Sequence, residues 1–470
     1  MFKYQVKKFH TLYYPCNIFT FNLQKHRRTV YRQKVKNKVH VTKLKPQNKV
    51  TTFQNALRAT IIVGQAFSLI PFVGVFTNDA NNVKFVRTSW KCGYSLMSLI
   101  GQMFMTVLCI NKLAKTTISL NGTSPVIFYV TTCVTMMMFY QVARRWPQLV
   151  QHISKVEEID PNFDRNLTRK CNITCAVVLM LALLEHILSL LSAFAGASVC
   201  YPLMDTYEGF VKHFYPWVFN FIPYSMLLGI VTQFLHFQST FIWNFSDLFV
   251  ICMSYYLTSR MKQVNNKLLA AQGKYLPEVF WKATREDYCR ATQIVRKVDD
   301  VINGIVFISF ANNLFFICLQ LFNTLEDGLK GTVKIYNLIF SPLGGHEAAT
   351  YFLFSLVYLL SRSVAVSLIA SQVNSASSVP APVLYDVPSP VYCIEVQRFL
   401  DQVNGDKVAL SGLQFFSVTR GLLLTVAGTI VTYELVMFQF NSSTPSANVT
   451  TTTASPSLSN VTNYLTTITS

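Results

Sequence analysis

Residues 411–440 read SGLQFFSVTRGLLLTVAGTIVTYELVMFQF, and the direction in which this run crosses a bilayer decides the fold. From Gly421 to Phe440 it holds one charged residue, Glu434. At about 1.5 Å per helical residue such a run matches a hydrocarbon core about 30 Å thick. Beyond Phe440 the chain has no charged side chain, is rich in Ser and Thr, and carries the sequons Asn441-Ser-Ser, Asn448-Val-Thr and Asn460-Val-Thr. That pattern belongs to an extracellular tail without a core of its own. The last span therefore runs from inside to outside.

At the other end, residues 1–50 hold thirteen Lys/Arg and no Asp or Glu, which places the N-terminus in the cytosol. The arm has no aromatic or glycine pattern of a nucleic-acid module, so no nucleic-acid partner is expected and an anionic lipid leaflet is. Apolar segments fall at about 59–76, 92–112, 124–143, 173–195, 217–257, 301–323, 348–370 and 412–438. Eight crossings would return the C-terminus to the cytosol, so one segment does not cross. The first is the weakest, with Arg58, Gln65 and Pro71, and it is followed by Lys84, Arg87 and Lys91. It reads as an amphipathic helix on the inner face. Asn121 is then extracellular, Asn166 cytosolic despite its sequon, and seven helices span.

Only 13% of the 470 residues are charged, against about 25% for a soluble domain, while 51% are apolar. The expected fold class is all-α and polytopic, with N-in, C-out topology. Its parts are a basic arm (1–55), the interfacial helix and spans one to four (56–257), a cytosolic helical layer (258–300) and spans five and six (301–372). A cytosolic segment with a short anchor helix (373–410), the last span (411–440) and the tail (441–470) complete it. The helical pattern from near Tyr215 to Gln272 would measure about 85 Å and must project into the cytosol. Pro380, Pro382, Pro388 and Pro390 bound the short anchor helix. Eleven cysteines make no disulfide or metal framework, and Cys171 and Cys175 read as packing. No nucleotide-loop, serine-elbow or zinc-protease signature is present, so neither an enzyme, a metal nor a cofactor is expected.

On a helix, Thr425, Gly428, Thr429, Thr432, Val436 and Gln439 share one face, a stripe suited to water or to another helix. Glu434 lies about 200° around from Thr432 and faces protein. Within other spans stand Glu185, His186, Gln233, His236, Asn312, Asn313 and Gln320, all costly in lipid. Near the outer ends are Trp217, Tyr224 and Tyr351. Aromatic faces beside carboxylate, imidazole and amide groups suit a neutral polyhydroxylated ligand.

Thr432-Tyr433-Glu434-Leu435-Val436-Met437-Phe438-Gln439-Phe440 resembles the signature of the insect gustatory receptors, and its Glu resembles their sugar-receptor branch. So do Glu185-His186-Ile187-Leu188, the run from Trp243 to Phe249, the run from Asn312 to Phe316 and the run from Phe415 to Gly421. The resemblance, over about residues 55–440, implies a tetrameric ligand-gated cation channel of a chemosensory cell, passing monovalent and divalent ions, homomeric or built with related subunits. It implies a pore lined by the last span, a gate at Gln439 and Phe440, and a sugar pocket open to the outside in each subunit. Two readings compete: a transporter of small polar solutes, and a receptor that signals through cytosolic partners on the 258–300 layer. A basic, glycosylated plasma-membrane protein is common to all three.

Overall fold

The computed structural model describes residues 51–116, 120–161, 164–200, 206–330 and 346–442. The arm 1–50 and the sequons at Asn448 and Asn460 lie outside those residues. For Asn121, Phe440 and Asn441 the helical backbone alone is described.

The first helix, α1 (Phe53–Ala66), is capped by Thr52, whose hydroxyl accepts from the Asn55 amide at 3.3 Å. It stops short of a bilayer crossing because Ser68 and Ile70 take left-handed backbone angles (φ 61° and 52°) ahead of Pro71. Gln65 secures that turn by donating to the Ile70 and Phe72 carbonyls at 3.2 and 2.8 Å and accepting from Lys91 at 2.6 Å. Its apolar face, with Phe53, Ala56, Leu57 and Ile61, is buried in the largest hydrophobic cluster of the chain.

Next come α2 (Trp90–Lys115), α3 (Leu120–Ile159) and α4 (Leu167–Cys200), then two short helices, α5 (Thr206–Phe214) and α6 (Pro216–Phe219). The long helices α7 (Met226–Leu269), α8 (Glu278–Lys330) and α9 (Glu347–Ser378) follow. The chain closes with α10 (Pro380–Tyr385), α11 (Ile394–Gly405), a hairpin of β1 (Ser411–Gly412) and β2 (Phe416–Ser417), and α12 (Arg420–Ser442). Among the described residues α2, α3, α4, α8 and α9 are each long and apolar enough to cross a membrane. Exposed Met97, Phe104 and Val107 on α2, with Val177, Met180 and Leu184 on α4, make surfaces that favour lipid over water.

The fourth long pattern begins at Met226 and not near Tyr215, because Pro216 and Pro223 interrupt it and put α5 and α6 across the end of the bundle. Its 44 residues still make a rod of about 66 Å. From Phe245 to Phe249 every side chain of α7 is 2% exposed or less, so this helix is the central post of the bundle. Its polar groups meet protein on all sides instead of lipid. Pro380 and Pro382 likewise occupy the first turn of α10, where a proline is tolerated. The anchor helix proper is α11.

At one end of the bundle, residues 258–300 of α7 and α8 pack with α11, and with α1, α10 and the C-terminal part of α3, into a helical layer. Ion pairs tie it: Arg260 to Asp160 (2.9 Å), Lys267 to Asp287 (2.7 Å), Arg285 to Glu395 (2.9 Å) and Arg296 to Asp406 (2.8 Å). Smaller apolar clusters surround the other end, where α2, α3, α4, α5 and α7 converge around Met105, Tyr129, Ala193, Phe210 and Tyr215.

Candidate functional site

Between α3, α4, α7, α8 and α9, closed on one side by α5 and α6, lies a cavity of about 480 Å³. That size is within the range of small-molecule pockets. Its walls are aromatic: Phe128, Tyr129, Phe214, Trp217, Trp243, Phe316 and Tyr351. Between the rings stand Glu185, His186, His213, His236, Gln320, Thr240 and the hydroxyls of Ser124, Ser189, Ser192 and Ser355. The lining includes one carboxylate and no Lys or Arg, so it lacks the counter-charge an anionic ligand requires.

Its polar groups are linked. Ser355 donates to Glu185 at 2.6 Å and accepts from the Gln320 amide at 3.0 Å, so one chain of hydrogen bonds joins α4, α9 and α8. The Tyr129 hydroxyl and His236 Nδ1 are 3.0 Å apart, and the His186 and His236 rings lie 6.0 Å apart. Ser355 follows Tyr351 by one turn of α9, which is why both reach the same wall.

Just below the cavity is a second polar group that touches it through Trp243. Arg362 forms an ion pair with Asp247 at 2.8 Å, with the two side chains 2% and 0% exposed. Its guanidinium lies 4.5 Å from the Trp243 ring centroid and 5.3 Å from that of Tyr358. Asn313 donates to Asp247 at 3.0 Å and accepts from Arg362 at 3.3 Å, and Ser309 donates to the same carboxylate. Asn244 accepts from the Tyr358 hydroxyl at 2.9 Å and from Arg362. Hydrogen bonds from α7 and α8 thus surround most of the pair, as a buried charge requires, while Arg362 Nε has the ion-pair contact alone.

Of the residues singled out in the sequence, Glu185, His186, Trp217, His236, Gln320 and Tyr351 line the cavity together. Asn313 belongs to the ion-pair network beneath it, and Asn312 is buried beside it on α8. Gln233 accepts from the Tyr207 hydroxyl at 3.4 Å, and Tyr224 packs on Phe219 with ring centroids 6.0 Å apart, so the structure puts both outside the cavity wall. Residues not singled out include Phe128, Tyr129, His213, Phe214, Trp243, Phe316 and Ser355. Trp243 and Phe316 stand inside the two runs quoted above for the resemblance. The α3 and α5 contributors carried no signal, since an aromatic residue in an apolar helix reads as packing.

α12 leans on α8 and α9. Leu422, Leu423, Val426, Ile430, Tyr433 and Glu434 face the protein, while Thr425, Gly428, Thr429, Thr432, Val436 and Gln439 are exposed along one side of the single chain. The threonine hydroxyls donate to carbonyls one turn back: Thr425 to Gly421 (3.2 Å), Thr429 to Thr425 (3.0 Å) and Thr432 to Gly428 (2.9 Å). Ile430 joins the cluster of Phe316, Ile317, Leu319 and Leu359, to which Phe128 and Trp243 also belong. The cavity wall and the last helix therefore share one packed body. At its base the Ser411 amide and hydroxyl donate to the two carboxylate oxygens of Asp299 at 2.6 and 2.7 Å, fastening the hairpin ahead of α12 to α8. Asn121 and Asn166 stand at opposite ends of α3, the first in its opening turn and the second just beyond its close.

Long apolar helices packed around a polar, aromatic-lined cavity define the class of multi-pass membrane proteins with a site for a small molecule. Known proteins agree in fold and in sequence. The insect olfactory receptor OR5 of Machilis hrabei in complex with eugenol superposes with a TM-score of 0.59, at 13% identity, over 82% of this chain and 98% of that one. The family described as trehalose receptor matches residues 32–448. The chain is 34% identical over 395 residues to the Drosophila melanogaster gustatory receptor for sugar taste 64f, covering 83% of this chain and 81% of the relative. It is 32% identical over 395 residues to gustatory receptor 5a for trehalose from the same organism, covering 83% and 85%. The chain belongs to the trehalose receptor family, the sugar-receptor branch of the insect gustatory receptors.

Proposed function

We propose that this protein is a sugar-gated, non-selective cation channel of the plasma membrane, acting as a sweet-taste receptor. The observation that carries it is the cavity itself: aromatic faces for sugar C–H surfaces, a linked Glu185–Ser355–Gln320 series for hydroxyl groups, and no basic residue in the lining. Relatives named for sugar taste and for trehalose support the ligand class.

In this reading the N-terminus is cytosolic, seven helices cross the lipid bilayer, and the tail with Asn441, Asn448 and Asn460 is extracellular. Four copies, identical or related, surround an axis and bring together the stripe Thr425, Thr429, Thr432, Val436 and Gln439. Support comes from its exposure on the single chain, since a polar face along a membrane helix wants water or a partner. Gln439 and Phe440 form the constriction. Closed, four aromatic rings exclude water; open, the amide oxygens of Gln439 face monovalent and divalent ions.

Sugar would favour the open state by binding it better, because a ligand moves an equilibrium only by its differential affinity. The route runs through Phe316 and Ile430, which share a cluster with Trp243 of the cavity wall. The test is patch-clamp recording of the purified protein in a bilayer. Sugar should evoke a current that reverses near zero in symmetric cation solutions. Sugar uptake without current identifies a transporter, and a response that needs cell extract identifies a receptor working through cytosolic partners.

A further inference from the structure

A second, larger cavity, open to the surface and about 840 Å³ in volume, lies at the opposite end of the bundle from the first. Three elements form it: the lower part of α7, the C-terminal turns of α9, and the residues that start α12. Its chemistry is the reverse of the sugar cavity. Lys262 and Arg420 are its charged lining residues; both are exposed, and neither has an ion-pair or hydrogen-bond partner among the described residues. Asn265, Gln372, Ser375 and Thr419 line it as well, with amides and hydroxyls that both donate and accept. The carboxylates of the same layer, Asp160, Asp287, Glu395 and Asp406, are occupied with Arg260, Lys267, Arg285 and Arg296 and line no part of the cavity.

Two uncompensated cations call for an anion. A wall of amides and hydroxyls, over a volume far beyond one phosphate ion, calls for a ligand that also carries hydroxyl groups. The N-terminus of α12, a 23-residue helix that begins at Arg420, adds its positive end at the same place. With the orientation proposed above, the cavity lies where the inner leaflet meets the cytosol. We propose that it binds a phosphorylated polyol, an inositol phosphate, presented either as the headgroup of an inner-leaflet phosphoinositide or as the free soluble molecule. Bound there, such a ligand would bridge α7, α9 and the base of α12, and so bias the helix that carries the stripe.

The experiment uses the full-length protein purified in detergent and in nanodiscs. Binding of inositol trisphosphate is measured by calorimetry, and binding to vesicles with phosphatidylinositol bisphosphate is compared with vesicles of equal charge made with phosphatidylserine. Lys262→Ala and Arg420→Ala should each weaken binding about five-fold, the contribution of one basic residue near an anionic surface. Lys282→Ala, an exposed change outside the cavity, should leave it unchanged. Lys262→Arg should retain binding, and elution of every variant as the wild-type assembly separates loss of binding from loss of folding. Binding of the soluble molecule supports the proposal with a free ligand; binding of phosphoinositide vesicles alone supports it with a lipid source. Equal binding to phosphatidylserine, or binding that ignores both substitutions, overturns it. Intact sugar-evoked current with no inositol phosphate binding overturns this inference and leaves the channel reading standing, whereas binding without sugar-evoked current does the reverse.

Discussion

The guanidinium of Arg362 sits between the Asp247 carboxylate, 2.8 Å from its Nε, and the ring of Trp243, 4.5 Å from its central carbon. One face of that arrangement closes a buried charge network, and the tryptophan is part of the wall of the aromatic-lined cavity. The network joins α7, α8 and α9 at the depth where lipid would otherwise have to accommodate the charges, so it fixes the cavity floor.

Arg362→Ala should destabilise the folded protein by about 3–5 kcal/mol, since it strands the Asp247 carboxylate in the core. Arg362→Lys should fail to restore it, because an ammonium cannot stack on Trp243 as the planar guanidinium does. Pairing Arg362→Met with Asp247→Leu should recover most of the loss. Thermal unfolding of the detergent-solubilised protein is the measurement, and equal stability of single and double variants would contradict the assignment.

In the cavity, Ser355→Ala removes the hydroxyl that joins Gln320 to Glu185. The sugar dose–response midpoint should rise about ten-fold, a charge-assisted hydrogen bond being worth about 1.5–3 kcal/mol, with surface expression intact. Tyr351→Ala should act in the same direction, whereas Tyr224→Ala, outside the cavity wall, should have the smaller effect. Unmoved midpoints in both Ser355→Ala and Tyr351→Ala place the ligand elsewhere.

Asp299 holds both the amide and the hydroxyl of Ser411. Asp299→Ala should free the hairpin before α12, changing open probability at saturating sugar while leaving the binding affinity near wild type. Ser411→Ala keeps the amide bond and should show a milder form. A shift in ligand affinity without any change in gating would count against the fastening role.

For the constriction, Phe440→Ala should raise current in the absence of sugar, and Gln439→Ala should alter single-channel conductance without moving the affinity for sugar. Wild-type gating and conductance in both would locate the narrowest point lower, along Thr425, Thr429 and Thr432.

Glycan occupancy tests the orientation. Asn121, Asn441, Asn448 and Asn460 should accept glycan in a eukaryotic host, and Asn166 should not, although its sequon is intact. Mass spectrometry after glycosidase treatment reads all five sites, and a glycan on Asn166 would reverse the topology.

Periodicity made the helical class legible, along with the length of the long helices and the polar stripe of α12, because a bilayer imposes about 20 apolar residues per crossing and such a run is a local pattern. Local chemistry also marked the first segment as weak, through Arg58, Gln65 and Pro71, while the left-handed turn at Ser68 and Ile70 that ends it emerged only in the structure. The membership of the sites was a different matter. Glu185, Gln320, Tyr351 and Ser355 meet only because α4, α8 and α9 pack side by side, and Asn313, equally polar and two turns away on α8, turns to Asp247 and Arg362 instead. A sequence shows that a polar side chain in a span needs a partner; which partner it finds depends on the rotation of each helix about its axis. That rotation is set by the packing of the entire bundle around α7.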